Sequence, residues 1–155
     1  MKVIPHSQSK GMTLVELLAV IIILSIMSAM AVLLFSHTGV WSLKAAAGEL
    51  AGRIREARSS AIIEGRNINI IFYEFSRKYK LEYPDDGEWV SLPEGINYSA
   101  NNFPLVIDNR PTLYFRHTGA PNRGGHIGLK DKRGNQVFVI VAPVTGRVRV
   151  DKAPP

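Results

Sequence analysis

The sequence predicts an α+β protein: a long N-terminal helix, transmembrane at first and amphipathic further on, packed on an antiparallel β domain of two small sheets. Three observations carry that prediction. An apolar run begins at Met12, a helical periodicity follows between Leu43 and Ala61, and from Asn67 onward short β-branched and aromatic segments alternate with turn residues. The 155 residues suffice for one domain with an appendage. They divide into a leader over residues 1–11, a transmembrane helix over 12–35, its amphipathic continuation over 36–65, and a β domain over 66–155.

At the front, only Ser25 and Ser28 interrupt the apolar residues from Leu17 to Phe35. With residues 12–16 added, a helix of about 24 residues reaches roughly 36 Å, enough to span a hydrocarbon core with some tilt. Lys2 and Lys10 precede this run, and residues 36–42 carry no Lys or Arg. The positive-inside rule therefore keeps the leader in the cytoplasm and places the β domain on the far side of the inner membrane, as a single-pass protein. A secretory signal peptide would share the basic start, and Ala29-Met30-Ala31 offers a small-x-small site, but the apolar stretch continues through Val32, Leu33, Leu34 and Phe35. A plain membrane anchor accounts for the length yet leaves Glu16 unexplained. A carboxylate inside the hydrocarbon costs about 2–3 kcal/mol and requires a partner.

The stretch Gly11-Met12-Thr13-Leu14-Val15-Glu16-Leu17-Leu18 resembles the processing site of type IV prepilins and pseudopilins, in which a glycine, a glutamate five residues later and an apolar run coincide. The resemblance implies that a prepilin peptidase cuts after Gly11 and methylates the new amine of Met12. It also gives Glu16 a purpose. The carboxylate of one subunit would pair with the cationic amine of a neighbour as subunits stack, relieving the desolvation of both charges and setting the register of assembly. The family most often has phenylalanine where this chain has Met12, and the helix-interrupting proline of many pilins is absent between Met12 and Trp41.

In the second helical segment, Leu43, Ala47, Leu50, Ile54, Ala57 and Ala61 recur every three or four residues, with Lys44, Glu49, Arg53, Arg55, Glu56 and Arg58 largely off that stripe. This predicts a helix that packs one face on the domain and stops near Gly65. Its charged residues read as a solvated face with local pairs rather than a nucleic-acid surface. Strands are expected in NINIIFYEF, KYKLEY, EWVSLP, TLYFRH, HIGLK, QVFVIVAP and RVRV, with turns at PDDG and KRGN. From ARSSAIIEGRNINIIF to the closing RVRV the chain resembles the GspH/FimT group of minor pseudopilins. That group ends in a phenylalanine and glycine strand-turn, a hairpin and a Gly-Arg-x-x strand, here Phe115, Gly119, Gly146, Arg147 and the residues through Val150. The match is weakest from Tyr79 to Leu105.

The search for chemistry yields no catalytic constellation, and no cofactor or metal is expected. The chain has no cysteine, which excludes disulfides, thiolate metal sites and thiol catalysis. His6, His37, His117 and His126 lack metal-ligand spacing. PDDGEW reads as a hairpin turn rather than a calcium loop. GAPNRGGH is not a Walker loop and reads as a flexible surface turn. Asn97-Tyr98-Ser99 fits a glycosylation sequon that is common by chance. A membrane-tethered enzyme would need a polar cluster that the sequence does not display.

The charge distribution is more informative. The net charge of +6 is concentrated at the ends: the leader holds Lys2 and Lys10, and from Asp108 onward nine Lys or Arg face three Asp. In GRVRV, strand alternation places Arg147 and Arg149 on one face and Val148 and Val150 on the other. The sequence therefore predicts a non-enzymatic structural subunit of a type II secretion or type IV pilus-like filament, with the prepilin peptidase, other pilins or pseudopilins and the inner membrane as partners. The basic end reads first as a solvated face or a contact with acidic neighbours in the filament; the alternative is a DNA-binding minor pilin for natural transformation, gripping phosphates through Arg147, Arg149, Arg133 and Lys132 in a salt-sensitive, sequence-independent way.

Overall fold

The computed structural model describes residues 14–35 and 38–155, with side chains 30–39 left out of the description. The chain divides into two compact units, residues 1–38 and 39–155. The expected leader, with Gly11, Met12 and His6, lies outside the described residues, as does His37.

The first unit contains helix α1, Leu14–Phe35, of 22 residues. Its described large side chains, from Leu14 through Met27, are exposed on every side, so no amphipathic face distinguishes one direction from another. The two hydroxyls do not leave polar groups unmet. Ser25 Oγ donates to the Ile21 carbonyl at 2.7 Å and Ser28 Oγ to the Leu24 carbonyl at 2.8 Å, each one turn back. Among the described residues no helix is long and apolar enough to cross a membrane. The part of α1 with described side chains, residues 14–29, reaches about 24 Å against a hydrocarbon thickness of about 30 Å.

In the second unit, helix α2, Thr38–Glu64, runs 27 residues and ends at Gly65, whose φ of 67° gives the left-handed residue that commonly stops a helix. The periodic stripe behaves as the sequence predicts: Leu43, Ala47, Leu50, Ile54, Ala57 and Ala61 are all buried, joined by Ala46 and Ala51. Against it lie two antiparallel sheets. One has five strands: β1 (Ile68–Tyr73), β2 (Lys78–Glu82), β3 (Gly87–Ser91), β5 (Leu105–Ile107) and β6 (Arg110–Phe115), in the order β3-β2-β1-β6-β5. The other has four: β4 (Asn97–Asn101), β7 (Gly125–Lys130), β8 (Gln136–Val141) and β9 (Val148–Asp151), in the order β4-β7-β8-β9.

Period-two alternation brings one face of each sheet to the helix. Ile68, Ile70, Phe72, Tyr79, Leu81, Leu113 and Phe115 come from the first sheet, and Ile127, Leu129, Val137, Val139, Val141 and Val148 from the second, all in one core with the α2 stripe. Each Leu or Ile buried there contributes about 1.5–3 kcal/mol.

Two strands were not foreseen. β4 is NYSAN, polar and half-exposed throughout, with a register shift between Tyr98 and Ala100, so nothing in its composition marks a strand; pairing with β7 makes it one. β5 has three residues at the sheet edge. The sequon residue Asn97 opens β4 rather than a loop.

Turn chemistry is visible at the KRGN hairpin between β7 and β8. Asp131 Oδ1 accepts from the backbone N–H groups of Arg133 (2.8 Å) and Asn135 (2.9 Å), and Oδ2 accepts from Asn135 Nδ2 (2.7 Å). The Asn135 amide first, then the two backbone donors, hold this carboxyl below its ordinary range, against the opposing effect of desolvation. A depressed folded-state pKa contributes stability above the unfolded value, about 3.9, that is lost as pH falls through the folded value. Urea denaturation of Asp131→Asn beside the parent chain should show a lower midpoint for the variant, constant from pH 7 to about 5, with the gap closing below about pH 4. A gap that persists unchanged in acid would show that the carboxylate charge plays no part.

Candidate functional site

Charged side chains on α2 do more than form local pairs. Arg53 bridges Glu56 at 3.1 Å, as expected for a solvated face, and also reaches Glu88 on β3 at 2.7 Å. The hydrogen bond that Arg53 donates to Glu56 is the chief reason that the Arg53 pKa is raised. Arg55 and Arg58 depart from the expectation. Arg55 Nη2 donates to the Val148 carbonyl on β9 at 3.1 Å, and Arg58 Nε donates to the Gly119 carbonyl in the β6–β7 loop at 3.0 Å. Both are long-range ties from helix to β domain, and their partners are backbone carbonyls, which leave no mark in the sequence.

The Arg58 contact explains Gly146 of the terminal motif, and Ile62 explains Gly119, where a Cβ would stand 2.6 Å from its Cδ1. Gly146, in the β8–β9 turn, has φ of 63°, and a Cβ there would meet the Gly119 carbonyl oxygen at 2.9 Å and Arg58 Nε at 3.0 Å. Helix α2, the β6–β7 loop and the β8–β9 turn therefore converge on one point, where a side chain larger than hydrogen does not fit.

That convergence fixes the two segments that carry the unpaired arginines. The expectation for GRVRV holds in part. Arg147 and Arg149 are both exposed and Val148 is 7% exposed, but Arg147 precedes β9, and Val150, near the end of this edge strand, is 41% exposed instead of buried. Around Arg147 and Arg149 lies a groove of about 670 Å³, to which the β6–β7 loop adds Arg123, counted in the basic end of the chain but not expected at this site. Ile140, Val141, Ala142 and Pro143 line it with apolar surface, and Asn102 contributes a polar edge.

The β6–β7 loop, expected to be a flexible surface turn, is instead tied down. Asn122 accepts from the Tyr114 backbone N–H at 3.2 Å and donates to the Thr112 carbonyl at 3.0 Å, and Arg116 and Ala120 share a backbone bond of 2.9 Å. Gly124 passes so close to Pro143 that a Cβ would stand 2.6 Å from its ring, so this glycine serves close approach rather than flexibility.

Lys132 and Arg133 are elsewhere. They sit in the β7–β8 turn, at the other end of β8 from Arg147, about 17 Å away for a strand of that length. Lys132 lies 3.9 Å from Glu94, with both side chains exposed. The four residues of the expected phosphate grip are thus two pairs at opposite ends of a sheet.

No group of three or more His, Cys, Asp or Glu side chains suited to a metal ion occurs among the described residues. His126 lies within β7, its ring edge-on to Phe138 at 5.8 Å. Glu16 stands in the first turn of α1, where the positive end of the helix dipole favours a carboxylate.

The Prokaryotic N-terminal methylation motif matches residues 6–32, a span that includes Gly11, Met12 and Glu16. No curated protein sequence matches the chain. Among solved structures the chain is similar to the minor pseudopilin EpsH from the Type 2 Secretion System of Vibrio cholerae, with TM-score 0.56 and 16% identity over 70% of this chain and 95% of that one. It is also similar to the type IV minor pilin FimU of Pseudomonas aeruginosa, with TM-score 0.54 and 15% identity over 73% and 97%. The chain is type IV prepilin-like at its N-terminus and pilin-like in its α+β fold.

Replacing Gly146 by alanine combines left-handed strain with a backbone clash, and should cost about 1–3 kcal/mol. The change is read as a lower urea midpoint. Gly134→Ala is the comparison: its φ is 86° but its Cβ would meet nothing within 4 Å, so strain acts there without the clash and the loss should be smaller. Equal losses at the two sites would remove the packing argument.

Proposed function

We propose that the chain is a minor pilin or pseudopilin, a non-enzymatic structural subunit that is cleaved after Gly11, anchored by residues 12–35, and drawn into a type II secretion or type IV pilus-like filament. One observation carries this reading: the methylation motif over residues 6–32 stands in front of a domain with the fold of EpsH and FimU.

The mechanism is assembly rather than turnover. Cleavage would leave a cationic amine at Met12, four residues from Glu16. In an apolar surrounding each charge is costly alone, and pairing between neighbouring subunits offsets much of that cost while fixing one axial register. α1 supports such a transfer because its apolar side chains face every direction, so it suits lipid before assembly and the helices of other subunits after it.

A DNA-binding role through all four basic residues has less support. Their division between the two ends of β8 weighs against a single phosphate-gripping surface.

The test is expression of the full chain with a prepilin peptidase and the other filament subunits, comparing Glu16→Ala and Gly11→Val with the parent. Glu16→Ala should lose residues 1–11 as the parent does, stay in the membrane and be at least tenfold depleted from sheared filaments. Gly11→Val should remain uncleaved. Parent-level incorporation of Glu16→Ala would defeat the register role, and cleavage of Gly11→Val would defeat the processing site.

A further inference from the structure

The groove at the end of the four-stranded sheet has a chemistry that the filament reading does not by itself require. Its three arginines come from separate parts of the chain: Arg123 from the β6–β7 loop, Arg147 from the β8–β9 turn, and Arg149 from β9. No Asp or Glu side chain lines the groove, and Pro155 stands beside the arginines. Among the described residues four cations pair with acids, Arg53 with Glu56 and Glu88, Arg66 with Asp85, Lys80 with Glu82, and Lys132 with Glu94, and none of these four lines the groove. Among the described residues, the Arg123, Arg147 and Arg149 guanidinium groups have neither ion pair nor hydrogen bond. All three are exposed and converge on one groove.

The surface between them decides which kind. On the outer face of the sheet, Ile140 stands opposite Arg149 in the β8–β9 register and His126 in the β7–β8 register. With Ala142 and Pro143 it gives the groove an apolar floor. Duplex DNA presents phosphates on a convex, hydrated rod and gains nothing from a concave apolar floor. A single strand would stack its bases on aromatic rings, and no aromatic side chain lines the groove. An extended peptide meets both demands: alternate side chains point to opposite sides, so apolar ones can enter the floor while neighbouring carboxylates reach the guanidinium forks, whose geometry suits bidentate pairing. A volume of about 670 Å³ lies within the range of peptide and small-ligand pockets.

We propose that this groove docks an extended, acidic and apolar segment of a neighbouring filament subunit, held through Arg123, Arg147 and Arg149 over the Ile140 floor. The partner's role rests on the filament reading; the peptide chemistry of the groove does not.

The probe is a fluorescent peptide of alternating Asp and Leu, titrated by anisotropy against the full chain in detergent micelles at low and high salt. The comparisons are an alternating Lys and Leu peptide and a duplex DNA of equal negative charge. Variants are Arg147→Ala with Arg149→Ala, Arg123→Ala alone, and Ile140→Ser. The arginine side chains are exposed, and parent-like urea midpoints verify that their variants fold.

Saturable binding of the Asp and Leu peptide, weakened at least tenfold by the double arginine change and severalfold by Arg123→Ala, with no binding of the Lys and Leu peptide, supports the proposal. DNA binding equally well and displacing the peptide would make the groove a general polyanion site and overturn it. Self-association lost in the same variants would name a second copy as the occupant and overturn it likewise, as would absence of peptide binding at low salt. Cleavage and filament incorporation are scored separately on the parent chain. Failed incorporation with intact peptide binding would fault the filament reading alone, and the reverse would fault the groove alone.

Discussion

The fold depends on one geometric constraint: two sheets must share a single helix. A helix that packs against one sheet can use large side chains throughout its buried face, but α2 meets both, and five of its buried positions are alanine. Ala46, Ala47, Ala51, Ala57 and Ala61 keep the helix thin where the sheets approach, while Leu43, Leu50 and Ile54 fill the space between them. Close approach then brings backbone carbonyls of the β6–β7 loop and of β9 within reach of Arg58 and Arg55. These two arginines extend from the rim of the stripe, their stems covering apolar surface and their guanidinium groups meeting carbonyls that would otherwise face only solvent. The Arg55 contact also occupies an outward carbonyl of the edge strand β9, one way of making an exposed edge less available to other chains.

From that contact follows the placement of the groove. Gly119 and Gly146 are pinned near Arg58, and the chain leaving each of them carries an arginine to the same surface, Arg123 four residues on and Arg147 immediately after. The positions are coupled: whatever moves the β8–β9 turn moves Arg147 relative to Arg123. The division of charge has the same origin. Arginines on α2 face a domain that offers them carbonyls or acids, so they are structural, whereas Arg123, Arg147 and Arg149 line a groove on the surface.

Local pattern made much of this legible. The α2 stripe announced its buried face residue by residue, and β1, β2 and β8 followed from β-branched and aromatic runs whose inward residues form the core. Glu16 in an apolar helix declared itself by its cost. Three things were hidden, each for a physical reason. β4 has no intrinsic strand preference and exists because β7 offers it a partner. Arg55 and Arg58 look like surface charges because their acceptors are main-chain atoms that any sequence would supply. Arg123 belongs with Arg147 and Arg149 only through tertiary packing, and the same packing sends Lys132 and Arg133 to the far end of β8, so nearness in sequence misassigned them to one site.

The two units divide the physical work. α1 contributes no face on which a water-soluble domain could be built, since its side chains are apolar in every direction and its two hydroxyls are satisfied within the helix. It has low free energy only in a medium as apolar as itself, lipid or a sheath of like helices, and those two media differ little for Leu, Ile and Val. What distinguishes them is a charge. In the filament proposed above, a carboxylate at Glu16 would be tolerated poorly by lipid and well by a neighbour that brings a cation, so a single residue would tip the balance from membrane to filament without any change in the rest of the helix. The second unit has its own core, built from α2 and both sheets, so its surface carries no part of that requirement.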